Sequence, residues 1–188
     1  MVGLVQKMKF NMSRVLILTG APGVGKTTVL SKTVEALKVK GVSVGGMISR
    51  EVRKDNVRVG FEILDLTTGK RGWLAQVGQS GPQVGKYHVN LNDLDNVGVA
   101  AIIQALEKCE VIAIDEIGPM ELFSPKFKQA VAQALESKKL MLMVVHGKAK
   151  DPIVTQIKRR VDAEIFNVTF SNRENLTEQL ARKVCNII

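Results

Sequence analysis

The segment GAPGVGKT at positions 20–27 constrains the fold of this 188-residue chain more than any other part of the sequence. It matches the Walker A pattern G-x-x-x-x-G-K-[ST] and lies between an apolar run, residues 14–19, and an amphipathic run, residues 26–40. Its glycines allow a tight turn that points N–H groups at phosphate oxygens, and the positive end of the next helix faces the same anion. The spacing does not fit a dinucleotide fold, because the third glycine of G-x-G-x-x-G, counted from Gly23, would be Thr28.

The polar side chains of this loop each have a predicted partner on a bound triphosphate. Lys26 is expected to reach the β- and γ-phosphates and to stabilise the charge that develops there, which makes it a predicted catalytic residue. The Thr27 hydroxyl is expected to bind Mg²⁺, and Thr28 to lie near the α-phosphate. The predicted phosphate-binding residues are Gly20, Ala21, Pro22, Gly23, Val24, Gly25, Lys26, Thr27 and Thr28.

A second motif, VIAIDE at positions 111–116, is an apolar run that ends in two acids. Such a strand delivers carboxylates to the carboxyl edge of a parallel sheet, where phosphates bind. Asp115 is predicted to hold Mg²⁺ opposite Thr27, and Glu116 to orient an attacking water or accept its proton. The structural alternatives are a capping acid at Asp115 and a surface glutamate at Glu116.

Composition excludes several other classes of protein. Two cysteines, Cys109 and Cys185, are too few for a disulfide scaffold and form no CxxC metal pair. The longest strongly apolar run, residues 140–145, is too short to span a membrane. Residues 1–13 are predicted to be an N-terminal extension without a signal-peptide pattern, so a cytoplasmic protein is expected. The net charge of +9 suits a polyphosphate or nucleic-acid ligand, and equally a solvated basic surface.

Apolar and amphipathic runs alternate along the rest of the chain. Strands are predicted at residues 14–19, 42–49, 111–115, 140–145 and 163–168, and those at 14–19, 111–115 and 140–145 are expected to be buried. Helices are predicted at 26–40, 93–108 and 151–160, after Ser124-Pro125, and after a capping box at Ser171 and Glu174. Residues 78–90 are expected to form a loop. The predicted fold class is a single α/β domain over residues 14–188, with a mostly parallel sheet, helices on both faces and a β-hairpin insertion near residues 50–75.

Three segments make the chain resemble a known family: GAPGVGKT at 20–27, VIAIDEIGPMEL at 111–122 and FNVTFSNRENL at 166–176. They are similar to segments of the small nucleoside-triphosphatases of the THEP1 family, and the likeness runs from about residue 14 to the C-terminus. The resemblance implies a P-loop fold with an added strand, and Mg²⁺-dependent hydrolysis of several nucleoside triphosphates to diphosphate and phosphate. It also implies a second nucleotide-binding segment made of Val111, Ile112, Ala113, Ile114, Asp115, Glu116, Ile117 and Gly118.

Several other residues have both a functional and a structural interpretation. His146 follows the run 140–145, and it would sense the γ-phosphate if that strand lay between the two motif strands; a core or loop histidine is the alternative. Arg159 and Arg160 are candidates for a lid or arginine finger, or for a solvated helix face. Asn172 and Arg173 are candidates for packing on the base.

Two other functions stay open at this stage. A P-loop kinase acting on a nucleotide or small molecule fits the size of the chain and its basic lid candidate, although Glu116 directly after Asp115 suits water activation better. A nucleotide-switched RNA- or protein-binding module is suggested by the charge alone. No NKxD motif is present, so broad base specificity is expected. A monomer without a membrane partner is the expected state.

Overall fold

A computed structural model describes residues 13–188, so the extension predicted for residues 1–13 lies outside the described residues except for its last position. The strands are β1 (Val15–Thr19), β2 (Val44–Lys54), β3 (Val57–Asp65), β4 (Arg71–Gln76), β5 (Gln83–Val84), β6 (Tyr87–Val89), β7 (Val111–Ile117), β8 (Leu140–Val145) and β9 (Ala163–Asn167). The helices are α1 (Lys26–Val39), α2 (Leu91–Asp93), α3 (Ala100–Lys108), α4 (Pro125–Glu136), α5 (Pro152–Arg159) and α6 (Arg173–Ile187). A π-helical turn, Leu94–Val99, joins α2 to α3, and a 3₁₀ turn, Glu121–Phe123, precedes α4.

The strands of the described residues form one sheet in the order β5-β6-β4-β3-β2-β7-β8-β1-β9. The five strands β2, β7, β8, β1 and β9 are parallel, and β8 lies between the two strands that carry the sequence motifs. The other four strands pair antiparallel and extend the sheet from the edge of β2. The predicted hairpin is therefore half of a larger antiparallel extension.

The loop predicted for residues 78–90 was wrong in part, because it contains β5 and β6. These strands have two and three residues and turn at Gly85, whose φ is +61°. Strands this short cannot show the alternation of apolar and polar residues by which a strand is recognised.

Helices cover both faces of the parallel strands, as expected. Val15 and Ile17 of β1 pack into the core that α3, α4 and α5 share, whereas Leu16 and Leu18 pack against α1 and α6. Because both faces are buried there, β1 and β8 are apolar almost throughout. These observations confirm the predicted α/β fold class. Within residues 13–188 no helix is long and apolar enough to cross a bilayer.

Most of the helix starts follow their sequence signals. The Ser124 hydroxyl accepts a hydrogen bond from the Phe127 N–H at 3.0 Å, and Pro125 occupies the first turn of α4. The capping box predicted at Ser171 does not form. The helix begins at Arg173, and the Ser171 hydroxyl lies 3.0 Å from that of Thr169, because the 169–172 turn engages its polar side chains with one another.

Gly46 shows how closely β2 approaches β7. Its φ is +108°, and a Cβ at this position would lie 2.1 Å from the carbonyl oxygen of Ala113. We expect Gly46→Ala to lower the free energy of unfolding by about 3 kcal/mol or more, because the backbone strain adds to a clash with backbone atoms.

Gly69 is the matched control for Gly46. Its φ is +74°, but nothing lies within 4 Å of the position that a Cβ would take. Gly69→Ala should cost only about 1 kcal/mol, the backbone strain alone. Urea denaturation of both variants measures the two losses of unfolding free energy. Equal losses would contradict the close approach of β2 to β7 at Gly46.

Candidate active site

A cavity of about 940 Å³ opens at the carboxyl edge of the parallel strands. The loop between β1 and α1, the ends of β7 and β8, and the strands β2, β3 and β4 contribute to its lining. The lining residues are Thr19, Gly20, Ala21, Pro22, Gly23, Gly25, Lys26, Thr27, Ser49, Arg50, Glu51, Arg58, Phe61, Leu74, Val84, Asp115, Glu116, Pro119, Met120, Glu121, His146, Gly147, Lys148 and Asn167.

The loop that precedes α1 folds around the side chain of Lys26. The Lys26 Nζ donates hydrogen bonds to the carbonyl oxygens of Gly20, at 3.2 Å, and of Ala21, at 3.1 Å. A Cβ at Gly20 would lie 2.6 Å from the Val168 carbonyl oxygen, so a glycine is required where the loop passes the chain that follows β9. The ammonium is thereby held at the cavity wall, inside the turn that its own loop makes.

Asp115 is a buried acid with an unsatisfied oxygen. The residue is 1% exposed, and its Oδ2 has no hydrogen-bond partner among the described residues. Burial raises the pKa of Asp115 to about 7; the Thr27 hydroxyl lowers this pKa, the Glu116 carboxylate raises it and the Lys26 ammonium lowers it.

These groups fit a hard divalent cation. An unsatisfied buried carboxylate oxygen is costly, and a cation beside it removes that cost. Residues 13–188 contain no cluster of three or more His, Cys, Asp or Glu side chains arranged to hold a metal. A cation held by Asp115 and Thr27 would therefore complete its oxygen shell with water and phosphate oxygens, as Mg²⁺ does at phosphate sites.

Two further acids border the same cavity. Glu116 is half-buried, and a Cβ at Gly118 would lie 2.7 Å from its Oε1, so the missing side chain at Gly118 leaves room for this carboxylate. Glu121 is 3% exposed, and burial raises its pKa to about 8; the nearby charges of Glu116 and Asp115 raise it too. The site thus contains three neighbouring acids, and the pKa values of the two buried ones, Asp115 and Glu121, are raised to about 7 and about 8.

The structure brings most of the predicted polar residues together. Cavity-lining positions include Lys26, Thr27, Asp115, Glu116 and His146, and five residues of the loop itself, Gly20, Ala21, Pro22, Gly23 and Gly25. His146 reaches the cavity because β8 lies between β1 and β7. Its Nδ1 accepts a hydrogen bond from the Lys148 N–H at 3.3 Å.

Other predicted positions lie outside the cavity lining. Val24 is buried in the core, and Thr28 is exposed at the start of α1. The other residues of the second predicted nucleotide-binding segment are buried in β7 or follow it, and they position Asp115 and Glu116 through the backbone. They are Val111, Ile112, Ala113, Ile114, Ile117 and Gly118.

The structure does not bring Arg159 or Arg160 to the cavity. Arg159 is exposed on α5. The Arg160 guanidinium forms ion pairs with Asp162, at 2.8 Å, and with Glu136, at 3.3 Å. These contacts fasten Arg160 to the neighbouring elements of the fold, so a lid or finger role has no support in this arrangement.

Sequence reasoning missed the cavity residues Arg58 and Phe61 on β3. Strict alternation puts residues 58 and 61 on opposite faces of a strand. The pairing register of β3 with β2 skips Val59, since Val52 pairs with Gly60 and Arg53 with Arg58. The resulting bulge brings the Arg58 guanidinium to 5.5 Å from the centre of the Phe61 ring, on the same side. No signal in the sequence marks this bulge.

Comparison with known proteins agrees with this geometry. A family model described as NTPase matches residues 15–181. A nucleoside-triphosphatase THEP1 from Thermofilum pendens is 47% identical over 174 residues, which cover 92% of this chain and 96% of the relative. Its counterpart from Methanosarcina acetivorans is 45% identical over 169 residues, covering 89% of this chain and 95% of the relative.

The chain belongs to the THEP1 family of nucleoside-triphosphatases. Solved structures agree: a crystal structure of THEP1 from Aquifex aeolicus is 32% identical with a TM-score of 0.79, covering 88% of this chain and 96% of that chain. The solution structure of a human cancer-related nucleoside triphosphatase is 38% identical with a TM-score of 0.79. The match covers 92% of this chain and 98% of that chain. Membership of the family confirms the resemblance drawn from the sequence and the expectation of a hydrolase.

Glu121 makes the stability of the ligand-free protein depend on pH. Its pKa is raised from 4.5 to about 8 in the folded state, so the folded state keeps a proton that the unfolded state releases. Stability is therefore highest below the unfolded pKa and falls as pH rises towards 8. Glu121→Gln removes this titration, and we expect the variant to lose about 3 kcal/mol less stability than the wild type between pH 5 and pH 8.

Urea denaturation at both pH values, in EDTA and without nucleotide, measures this effect. Glu178→Gln is the control, because the Glu178 side chain is 80% exposed and should leave the pH profile unchanged. If the free energy of unfolding of Glu121→Gln changed with pH as it does in the wild type, Glu121 would not be the buried, protonated acid.

Proposed function

We propose that this protein hydrolyses ATP, GTP and other nucleoside triphosphates to the diphosphate and phosphate, with Mg²⁺ and with broad base specificity. The observation that carries the proposal is the unsatisfied, buried Oδ2 of Asp115 beside the Thr27 hydroxyl. Glu116 follows Asp115 directly and borders the same cavity as the phosphate-binding loop. The family membership supports triphosphate hydrolysis, and the site chemistry supports the choice of metal.

The phosphate-binding loop is proposed to bind the triphosphate through its backbone N–H groups and the N-terminus of α1. Lys26 stabilises the negative charge that develops on the β- and γ-phosphates. Its ammonium already lies beside the loop carbonyls of Gly20 and Ala21, so it needs little rearrangement to bind phosphate. Holding the ligand in one geometry is the larger part of catalysis for phosphoryl transfer.

Thr27 and Asp115 are the proposed protein ligands of Mg²⁺. When bound, Mg²⁺ supplies positive charge at the β- and γ-phosphate oxygens. The carboxylate form of Asp115 is the one that binds a cation, and a positive charge beside it favours ionisation of this raised-pKa acid. Thr27 brings its hydroxyl from the first turn of α1, so both donors are fixed by regular secondary structure.

Glu116 is proposed to orient the attacking water and to accept its proton. The oxygen of this water forms a bond to the γ-phosphorus as the bond from that phosphorus to the β–γ bridging oxygen breaks. The diphosphate leaves with the electron pair of the broken bond, and the proton passes to the Glu116 carboxylate. Glu116 suits this role because it is half-buried at the cavity wall, next to Asp115.

Turnover is expected to be slow. The cavity-lining arginines are Arg50 and Arg58, and Arg58 is already ion-paired with Glu51. Arg50 on β2 is the other candidate, and no arginine of residues 13–188 is assigned to the γ-phosphate, so we expect a rate of about 10⁻⁴ to 10⁻² s⁻¹, the range of P-loop hydrolases that act without an external arginine.

A phosphotransferase is the second candidate function. It is favoured by the part of the cavity lined by the apolar side chains of Phe61, Leu74 and Val84, which an acceptor molecule could fill. Faster phosphate transfer to an added acceptor than to water would establish it. Failure across a panel of nucleosides, nucleotides and small alcohols would leave the hydrolase. The proposed compartment for either activity is the cytoplasm, since Cys109 and Cys185 are free thiols.

Glu116→Gln and Lys26→Ala test the proposed roles. Glu116→Gln keeps the shape of the site but cannot accept a proton, so we expect normal nucleotide affinity and a loss of about 100-fold or more in phosphate release. Lys26→Ala removes the ammonium, so both binding and release should fall. Phosphate release from ATP, GTP, CTP and UTP, together with equilibrium binding, separates the two outcomes.

Glu136→Gln is the control for Glu116→Gln, because the Glu136 side chain is 74% exposed and lies outside the cavity lining. Wild-type turnover in Glu116→Gln would remove Glu116 from the reaction. Release from one nucleotide alone would contradict the proposed breadth of substrate.

A further inference from the structure

The position of the two acids sets the direction in which a bound nucleotide lies. Asp115 and Glu116 lie near the C-terminal end of β7, which is separated from β1 by β8, so the γ-phosphate end of the ligand must face that side. The nucleoside end then points the opposite way, towards β9 and the turn that follows it. This turn, residues 168–172, leads directly into α6.

An exposed aromatic ring and a guanidinium lie in this region. Phe170 is 71% exposed, although large apolar side chains are usually buried. The Arg173 guanidinium carbon lies 5.4 Å from the centre of the Phe170 ring, within cation–π range. Arg173 also approaches the phosphate-binding loop, since its Cδ and Nη1 lie 3.6 Å from the position that a Cβ of Gly25 would take. The pair is thus connected to the loop that lines the cavity.

We propose that the base of the bound nucleotide stacks on the pair formed by Phe170 and Arg173. This inference rests on the proposed function, because it takes the ligand to be a nucleotide with its phosphates in the loop. Every nucleobase has a flat π-face, so an aromatic ring and a guanidinium bind all four bases without reading their edges. The pair therefore supplies a physical basis for broad base specificity.

The polar side chains of the same turn are engaged with one another. The Asn172 Oδ1 accepts a hydrogen bond from the Thr169 N–H at 2.8 Å, and its Nδ2 donates to the Asn167 carbonyl at 2.9 Å. The Ser171 hydroxyl lies 3.0 Å from the Thr169 hydroxyl. These bonds hold the turn in shape and direct both the oxygen and the nitrogen of the Asn172 amide into the turn, so the turn favours stacking over edge recognition.

Phe61 is the other aromatic ring that borders the cavity, and it marks the competing location for a base. Its ring contacts Tyr87 edge-on, with centroids 5.2 Å apart, and has the Arg58 guanidinium over it. It lies on β3, on the Asp115 and Glu116 side of the cavity, where the triphosphate ends. A base stacked there would require the opposite direction of the phosphates.

Calorimetric titration with nucleoside diphosphates tests the proposal without any dependence on hydrolysis. ADP, GDP, CDP and UDP are compared with inorganic pyrophosphate, each with Mg²⁺, because pyrophosphate has the phosphates without the nucleoside. For Phe170→Ala we expect the affinity for ADP and GDP to fall by about tenfold or more, the affinity for CDP and UDP to fall less, and that for pyrophosphate to stay unchanged. Arg173→Ala should act in the same direction, and Phe170→Trp should keep the wild-type affinities.

Arg182→Ala is the matched control for Arg173→Ala. Arg182 lies on the same helix, its side chain is 72% exposed and its ion-pair partner is Glu178, so its loss should change no affinity. Thermal melting checks that all variants fold, which is expected at an exposed ring such as Phe170.

Three results would overturn the stacking pair. The first is an ADP affinity equal to that of the wild type in both Phe170→Ala and Arg173→Ala. The second is an ADP affinity that falls to that of pyrophosphate in Phe61→Ala but in neither of the other two variants. A wild-type preference of more than about tenfold between ADP and GDP is the third, since it would require edge recognition. Normal ADP binding without triphosphate hydrolysis would contradict the proposed function and leave the stacking pair intact.

Discussion

The burial of the Asp115 carboxyl beside the Thr27 hydroxyl is the interaction on which the rest of the site depends. An unsatisfied acid oxygen at 1% exposure is expensive, and burial raises the pKa of this group to about 7. The fold holds the acid there through β7, whose apolar residues are buried on both faces of the sheet. A hard cation next to this oxygen would recover much of the cost, which couples the stability of the site to its ligand.

The order of the strands distributes the parts of the site along one edge. The loop proposed to bind phosphate follows β1, His146 follows β8, and Asp115 and Glu116 lie near the C-terminal end of β7, so these groups follow one another across three neighbouring strands. The antiparallel extension from β2 then adds a second wall, with Arg58 and Phe61. We therefore propose that the reacting end of a triphosphate lies between the parallel strands and the antiparallel extension, with the nucleoside end towards β9.

The sequence predicted those parts whose signals are local. The glycine loop, the strand ending in Asp115 and Glu116, and the alternation of strands and helices all follow from short patterns. The antiparallel extension was underestimated, because strands of two or three residues carry no period and because a bulge at Val59 changes the face of Arg58. The ion pair of Arg160 with Glu136 could not be predicted from the sequence, because it joins residues 24 positions apart that only the tertiary fold brings together.

Asp115 is proposed to act as a cation ligand, and the site depends on this role. The most direct test measures phosphate release from ATP as a function of Mg²⁺ concentration, in the wild type and in Asp115→Asn. The account predicts saturable Mg²⁺ dependence and no release in EDTA for the wild type, with little or no release from Asp115→Asn at any Mg²⁺ concentration. Release that continues in EDTA, or an Asp115→Asn variant with the wild-type Mg²⁺ dependence, would contradict it.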